Sequence, residues 1–236
     1  GGYVAAIRAA QLGAKAAVVE KKDLGGTCFN VGCIPTKAVI SSVALLRQMQ
    51  NASAFGLKAE KVGYDLEGIV GGAKSVVKQL VNGVGILLKK NGVAHIKGTG
   101  SLEDPHTVVV TGDTRKKVTA RNIIIATGAR PRVLPGIEPD GEKIWTYFEA
   151  MKPAKFPKSL VIMGSGAIGM EFASFYRSLG AEVTIIELLP QILPVEDAEI
   201  AAHVKKRFEK RGIKILTEAK VAKVEKTATG IIAQNQ

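Results

Sequence analysis

The stretch Leu160-Val161-Ile162-Met163-Gly164-Ser165-Gly166-Ala167-Ile168-Gly169 decides the fold. It begins as an apolar run typical of a buried strand and continues with G-x-G-x-x-G spacing, after which a helix is predicted as far as Gly180. Gly164 permits a tight turn, Gly166 lets the backbone approach a pyrophosphate, and Gly169 lets the helix pack on the strand. The helix N-terminus offers N–H groups and a partial positive charge to phosphates. The pattern predicts a doubly wound α/β unit that binds a dinucleotide.

An acidic residue, Glu187, ends the next predicted strand, 182–187, about twenty residues after the glycine loop, as such units require. Its carboxylate can accept hydrogen bonds from a ribose 2′-hydroxyl and would repel a 2′-phosphate, so NAD is favoured over NADP. An ordinary glycine turn followed by a surface glutamate is the alternative. The predicted cofactor contacts are Gly164, Ser165, Gly166, Ala167, Ile168, Gly169 and Glu187.

The first residues of the chain match only the last part of the same dinucleotide-binding pattern, which consists of a strand, a glycine loop, a helix and a second strand that ends in an acid. A helix over 2–12 and a strand over 15–20 would make Gly2 the third glycine and Glu20 the ribose acid, with Gly1 and Lys21 beside them. A plain amphipathic helix followed by a strand is the alternative. Because the preceding strand and first two glycines are absent, we expect a fragment that is truncated at its N-terminus.

A proline-rich stretch, 131–157, separates the two similar halves. We therefore expect an α/β chain of two Rossmann-like, doubly wound domains, 1–150 and 151–236, both incomplete in this chain. Further elements are predicted from apolar periodicity and turn residues. They are helices over 28–48, 65–90 and 197–211 and strands over 93–97, 107–111, 117–125, 213–216 and 220–225, with Ile123-Ile124-Ile125 buried before a turn at Gly128.

The formal net charge of +12 could indicate a nucleic-acid or membrane partner. The basic residues are scattered in short groups, however, and aromatic residues make up only 5% of the chain, so no basic stripe interleaved with aromatics exists. No run of about 18 apolar residues is present either. We expect neither a nucleic acid nor a membrane as partner.

Two cysteines, Cys28 and Cys33, are separated by four residues. On the first turn of a helix their sulfurs would lie on nearby faces, within reach of the Cα separation of about 4.4–6.8 Å that a disulfide needs. A structural disulfide, two inert thiols and half of a zinc site are the alternatives. The histidines, His95, His106 and His203, are not at zinc-ligand spacing, so no metal site is expected. A redox role accounts best for the pair.

The segment Gly25-Gly26-Thr27-Cys28-Phe29-Asn30-Val31-Gly32-Cys33-Ile34-Pro35-Thr36-Lys37 resembles the redox-active disulfide segment of the class I pyridine nucleotide-disulfide oxidoreductases. The resemblance covers essentially the whole chain, in the family's order. Residues 126–131 are similar to the family's flavin-contacting strand end. Within the family, residues 33–37 and Glu187 are most similar to the branch that oxidises dihydrolipoyl groups with NAD+.

The resemblance implies a role for each matching residue. Cys28 would exchange with the dithiol substrate, Cys33 would face the flavin, and Lys37 would lie beside the flavin, paired with Glu171. Val221 would lie near the NAD adenine. The implied FAD contacts are Gly1, Gly2, Glu20, Lys21, Gly26, Thr27, Lys37, Gly100, Ala126, Thr127, Gly128 and Ala129.

The implied reaction passes two electrons from the dithiol through the Cys28–Cys33 disulfide to FAD, and then as hydride to NAD+. The implied partners are a second copy of the full-length chain and the lipoyl domains of 2-oxo acid dehydrogenase or glycine cleavage complexes. The bacterial cytoplasm and the mitochondrial matrix are the expected locations. The family's His–Glu proton acceptor has no match here, since His203 fits a surface helix, and we expect the piece alone to be inactive.

Three alternatives remain. The first is a sister reductase that acts on glutathione-like, trypanothione-like or mercuric substrates with NADPH, which Glu187 disfavours. The second is an NAD(P)+ transhydrogenase of the same fold, in which both cysteines would be unexpected. The third is a non-catalytic nucleotide- or nucleic-acid-binding module, which leaves the cysteine segment unexplained.

Overall fold

The computed structural model describes residues 1–153, 155–227 and 230–235. The chain forms two compact units, of which the first comprises Gly1–Pro35 and Gly72–Arg130 and the second comprises Thr36–Gly71 and Pro131–Gln236. These units interleave along the chain, whereas the predicted cofactor domains follow one another. The division at residue 150 therefore stays a prediction.

The first unit combines helices with two small sheets. The elements in chain order are α1 Gly2–Gln11, β1 Ala17–Glu20, α2 Gly26–Asn30, the start of α3 Cys33–Gln50, most of α4 Leu66–Lys90, β2 Ala94–Lys97, β3 Thr99–Asp104, β4 Thr107–Thr111 and β5 Arg115–Thr119. Strands β1 and β2 pair in parallel, and β3, β4 and β5 form an antiparallel sheet.

The core of the first unit lies where α1 and α4 meet. Ala6 of α1 packs with Val84 and Leu88 of α4 and with Val93 beyond it. Val84 and Leu88 are four residues apart and so share one face of α4. Asp65 begins this helix, because its Oδ1 accepts the Glu67 N–H at 3.0 Å.

The second unit is built on a parallel sheet of three strands, β6 Ser159–Met163, β7 Glu182–Ile186 and β8 Lys214–Leu216. Between β6 and β7, helix α6 Ala167–Ser178 buries an aromatic face that includes Phe172, Phe175 and Tyr176. Burial raises the pKa of Tyr176, whose hydroxyl donates to the Ala150 carbonyl at 2.7 Å. The remaining elements are a 3₁₀ turn Ala52–Phe55, α5 Tyr147–Ala150, α7 Ala198–Lys210 and the antiparallel pair β9 Val221–Lys226 and β10 Ile231–Asn235.

Two predictions about these elements were wrong, and the sequence analysis missed strand β3. The helix predicted over 28–48 is two helices, because the chain breaks between Asn30 and Cys33. The strand predicted over 117–125 ends at Thr119, and the isoleucines at 124 and 125 are 69% and 72% exposed. No described strand pairs with 121–125, and an apolar run without a partner cannot form a ladder. Strand β3 was missed because its residues are exposed along its whole length and show no apolar alternation.

The segment Gly26–Gln50 is long and apolar enough to cross a membrane by length and composition alone. That criterion is also met by core helices of soluble proteins. The absence of a membrane partner therefore stays a prediction.

The core of the first unit provides a test of the packing. We expect Leu88→Ala to lower the free energy of unfolding by about 2–5 kcal/mol, because Leu88 is 1% exposed and its removal leaves a cavity. Ile86→Ala on the same helix is the control, since Ile86 is 67% exposed and its loss should cost only about 0.5 kcal/mol. Urea unfolding measures both. Equal effects of the two substitutions would show that α4 does not pack as described.

Candidate functional site

The glycine turn between β6 and α6 gives each glycine a separate task. Gly164 lies in the left-handed region at φ 92°, and its N–H donates to the Ile186 carbonyl at 2.8 Å. A Cβ at Gly169 would collide with the carbonyl oxygen of Gly164, whereas a Cβ at Gly166 would meet nothing within 4 Å. Gly166, the N-cap of α6, therefore leaves its backbone open to approach, while Gly169 allows helix and strand to touch.

A buried serine–glutamate pair closes this turn. Ser165 is fully buried and donates to Oε2 of Glu187 twice, from its N–H at 2.8 Å and from its hydroxyl at 2.6 Å. The Leu189 N–H donates to Oε1 at 2.9 Å. Burial alone would raise the pKa of Glu187, but the hydrogen bonds from Ser165 and from backbone N–H groups outweigh it and lower that pKa. Glu187 is thus ionised at neutral pH, and it fastens the end of β7 to the glycine turn.

In the first unit, the start of α1 lies against the segment that was predicted to contact the flavin. A Cβ on Gly2 would be 3.4 Å from the Ala126 Cβ. Thr127, Gly128 and Ala129 follow as exposed residues, with Gly128 at φ 81°. The two parts of the predicted FAD site are therefore neighbours in the structure.

Other predicted FAD contacts have local partners of their own. One carboxylate oxygen of Glu20 accepts the Lys22 N–H at 2.9 Å, and Lys21 is exposed. Gly100 allows close packing within the sheets, because a Cβ there would be 3.3 Å from Val108 and 3.4 Å from Val19. Packing by itself accounts for glycine at position 100, and its contact with FAD stays a prediction.

The cysteine segment begins with a loop that is fixed on both sides. Gly25 and Gly26 both have positive φ, at 97° and 69°. The side-chain amide of Asn30 donates to the carbonyls of Leu24 at 2.9 Å and Gly26 at 3.0 Å. Phe29 packs edge-on against Tyr3 of α1, with ring centroids 5.8 Å apart. Sequence reasoning missed Phe29 and Asn30, although both lie between the cysteines.

Gly32 brings the second cysteine back toward the first. The Val31 N–H donates to the Thr27 carbonyl at 3.0 Å and ends α2. A Cβ on Gly32 would be 3.0 Å from that same carbonyl oxygen and 3.2 Å from the Cα of Cys28. The backbone before Cys33 is thus in contact with the backbone of Cys28. Both cysteines are thiols in the structure, and both are exposed.

Lys37 lies in the part of α3 that belongs to the second unit. Its Nζ lies 2.6 Å from Oε1 of Glu171 on α6, so the predicted ion pair is present. Their side chains are 60% and 29% exposed, and such a pair stabilises the fold by only about 0–1 kcal/mol. Val221 starts β9 and pairs with Asn235 of β10. The roles of Lys37 beside a flavin and of Val221 beside an adenine stay predictions.

Comparison with known proteins identifies the family. The family model described as pyridine nucleotide-disulphide oxidoreductase matches residues 1–235. The chain belongs to the pyridine nucleotide-disulphide oxidoreductase family. LpdA from Mycobacterium tuberculosis is similar in structure, with a TM-score of 0.89, 28% identity and coverage of 99% of this chain and 52% of LpdA. This match confirms the predicted Rossmann-like α/β fold class.

Similar members of the pyridine nucleotide-disulphide oxidoreductase family have names that state an activity. Dihydrolipoyl dehydrogenase of Rhizobium etli is 53% identical over 250 residues, which cover 99% of this chain and 52% of the relative. That of Zymomonas mobilis is 50% identical, with coverage of 99% and 51%. The HOCl-induced flavoprotein disulfide reductase RclA of Escherichia coli matches in structure with a TM-score of 0.81, 27% identity and coverage of 99% and 50%. The chain spans about half the length of these relatives.

The glycine turn provides a paired test. We expect Gly169→Ala to lower the free energy of unfolding by about 1–3 kcal/mol, because its Cβ meets a backbone carbonyl that cannot move aside. Gly166→Ala has room for its Cβ and should cost about 1 kcal/mol or less, as the loss of a glycine N-cap does. Chemical unfolding followed by circular dichroism measures both. A larger loss in Gly166→Ala would contradict the described packing.

The Ser165–Glu187 pair predicts a pH-dependent effect. Because the folded-state pKa of Glu187 is lowered, its ionisation stabilises the fold above the ordinary glutamate pKa, and this contribution is lost as the pH falls through the folded-state pKa. We expect Ser165→Ala to destabilise the protein by about 1–3 kcal/mol at pH 7 and by less in acid, where the carboxylate is protonated.

Unfolding free energies measured between neutral and acidic pH test this expectation. Ser41→Ala on the exposed face of α3 is the control, and it should leave the pH profile unchanged. A destabilisation by Ser165→Ala that is the same at every pH would show that the charge of Glu187 is not involved.

Proposed function

We propose that this chain is the disulfide-bearing part of a dihydrolipoyl dehydrogenase, which uses FAD and NAD+ to oxidise dihydrolipoyl groups. The observation that carries the proposal is the turn at Gly32, which brings the backbone just before Cys33 against the backbone of Cys28 while both thiols are exposed. A pair of this kind can be reached by a dithiol substrate and can open and close a disulfide. The names of the Rhizobium and Zymomonas relatives support this substrate class.

NAD would be held by the second unit. The open backbone at Gly166 and the N-terminus of α6 fit a pyrophosphate, because a Cβ built on that glycine would meet nothing within 4 Å. Glu187, ionised at neutral pH, would repel the 2′-phosphate of NADP. Its two carboxylate oxygens already accept three hydrogen bonds, and a carboxylate has about four acceptor positions, so one position is left for a ribose hydroxyl.

FAD would be held by the first unit, at the junction of Gly2 with Ala126 and along 127–129. Glu20 at the end of β1 would accept hydrogen bonds from the FAD ribose, as Glu187 would from the NAD ribose in the second unit. The family resemblance adds Lys37, which pairs with Glu171, as a further proposed FAD contact that would supply a positive charge. Bound flavin accepts an electron pair and passes it on as hydride.

The cysteines would divide the exchange chemistry between them. In the disulfide form, a substrate thiolate attacks Cys28, which forms a mixed disulfide and releases the thiolate of Cys33. The second substrate thiol then displaces Cys28, so that the substrate leaves as a disulfide and both cysteines are reduced. The Cys28–Cys33 bond would form again when the thiolate of Cys33 gives up the two electrons taken from the substrate, and a bound flavin would supply the means to pass them on to NAD+ as hydride.

We also propose the partners that follow from this reaction. Lipoyl domains of 2-oxo acid dehydrogenase or glycine cleavage complexes would deliver the dithiol, and the full-length protein would be a homodimer. The bacterial cytoplasm or the mitochondrial matrix would be its location. A flavoprotein disulfide reductase that acts on another substrate is the second candidate, and the similarity to RclA favours testing it.

The visible spectrum of the full-length protein tests the proposal. Dihydrolipoamide without NAD+ should reduce the wild type and produce a long-wavelength charge-transfer band between the flavin and the thiolate. Cys33→Ser should abolish that band and Cys28→Ser should retain it when the flavin site is loaded, because only Cys33 is assigned to face the flavin. Ser41→Ala on α3 is the matched control and should behave as the wild type.

Nucleotide specificity completes the test. NAD+ but not NADP+ should reoxidise the reduced enzyme, and Gly166→Ala should weaken NAD+ binding about tenfold or more while leaving the fold intact. A colourless protein would rule out the flavoenzyme. A yellow protein that ignores dihydrolipoamide and is reduced by NADPH would support the second candidate.

A further inference from the structure

A pocket in the second unit is lined by three arginines and two neutral polar side chains. Arg47 and Gln50 come from the last turn of α3, Arg177 and Ser178 from the last turn of α6, and Arg211 follows α7. Three helices thus end around one opening, and each contributes a guanidinium group. The pocket is separate from the glycine turn at the other end of α6.

Two of the three guanidinium groups are fixed in place by hydrogen bonds. Arg211 donates to the Ser174 hydroxyl at 3.0 Å, the Ser174 carbonyl at 2.9 Å and the Ser178 hydroxyl at 2.8 Å. Arg177 donates to the carbonyls of Arg211 at 2.8 Å and Ala181 at 3.3 Å. Its guanidinium lies so close to Gly212 that a Cβ there would be 2.8 Å from Nη2. The like charges are therefore held together by the fold, and a bound anion would not have to order them.

No carboxylate balances this positive charge within the part of the chain that the structure describes, since none of the three arginines forms an ion pair there. Helix C-termini attract cations, which is the simplest reason for an arginine at each end. Each helix end, however, supplies only about −0.5 of a charge, so three ends offset about half of the charge of three guanidinium groups. Burial and then the charges of Arg47 and Arg177 lower the pKa of Arg211 to about 10, and it still carries its charge at neutral pH.

We propose that this pocket binds a phosphate group, either as free phosphate or as part of a small phosphate monoester. A phosphate carries up to two negative charges at neutral pH and several acceptor oxygens, which suit forked guanidinium donors. Arg47, whose guanidinium makes no hydrogen bond to a described residue, would close on the anion from the exposed side, and the side-chain amide of Gln50 would add a further donor. The Ser178 hydroxyl already donates to the Ser174 carbonyl at 2.8 Å and so serves to hold Arg211 in place. This site is independent of the redox reaction proposed above.

Calorimetric titration of the full-length protein with inorganic phosphate at constant ionic strength tests the site. The wild type should bind phosphate saturably, and Arg47→Gln should weaken binding about tenfold or more, the loss expected for a charge-assisted hydrogen bond. Arg47→Lys should recover part of the affinity, because it restores the charge without the fork. Since Arg47 is exposed and outside the fixed network, both variants should unfold like the wild type.

The matched control is Arg115→Gln at the exposed start of β5, which removes the same charge outside the pocket and should change the affinity less than about twofold. Titration with glycerol 1-phosphate, which lacks an adenine and avoids the dinucleotide sites, distinguishes free phosphate from an organic phosphate monoester as the natural ligand. Tighter binding than inorganic phosphate would identify an organic monoester, and weaker binding would identify free phosphate. The absence of saturable binding in the millimolar range, or an equal loss in Arg115→Gln, would overturn the proposal.

Discussion

The contact between Gly169 and the carbonyl of Gly164 is the constraint on which the second unit depends. It lets α6 start directly above the end of β6, so that the first free N–H groups of the helix face the space beyond the sheet. Any side chain at position 169 would push the helix away from the strand and with it Ser165, which is fully buried in the turn. The hydrogen bonds from Ser165 to Glu187 then connect the turn to the end of β7. One close backbone contact thus positions a strand end, a helix N-terminus and a carboxylate.

In the cysteine segment, a close backbone contact at Gly32 ends one helix and allows the next to begin. At Gly32 the approach is between two short stretches of chain, and it allows a helix to end and another to begin within three residues. Had α2 continued through the segment, Cys28 and Cys33 would have been five residues apart along one helix, at different heights and about 140° apart around its axis. The break between α2 and α3 avoids this separation of the two cysteines along a helix axis. Phe29 and Asn30, which lie between the cysteines, hold the first helix in place while the second continues into the fold.

Much of this could be predicted from local patterns, and the failures have a common cause. The glycine turn, the capping residue Asp65 and the Lys37–Glu171 pair depend on residue types at fixed spacing or on a family motif, and the structure shows each of them. The break at Gly32 was missed because a glycine in an apolar helical pattern signals nothing until its neighbours in space are known. The isoleucines at 123–125 were predicted as a strand from composition alone, whereas a strand requires a partner. Sequence periodicity shows which face of a segment can be buried. Whether the segment forms a strand depends on a neighbouring strand, which the periodicity does not reveal.

The double role of Glu187 links cofactor preference to stability. A lone surface carboxylate could be replaced by a neutral or basic residue to admit a 2′-phosphate with little effect on the fold. In this protein the same carboxylate accepts both donors of a fully buried serine and a backbone N–H of Leu189. Its removal would leave those donors unsatisfied in the interior, which costs more than the loss of an exposed charge. A change of nucleotide preference would therefore require a second change at Ser165 that removes the orphaned hydroxyl, so these two positions are expected to vary together.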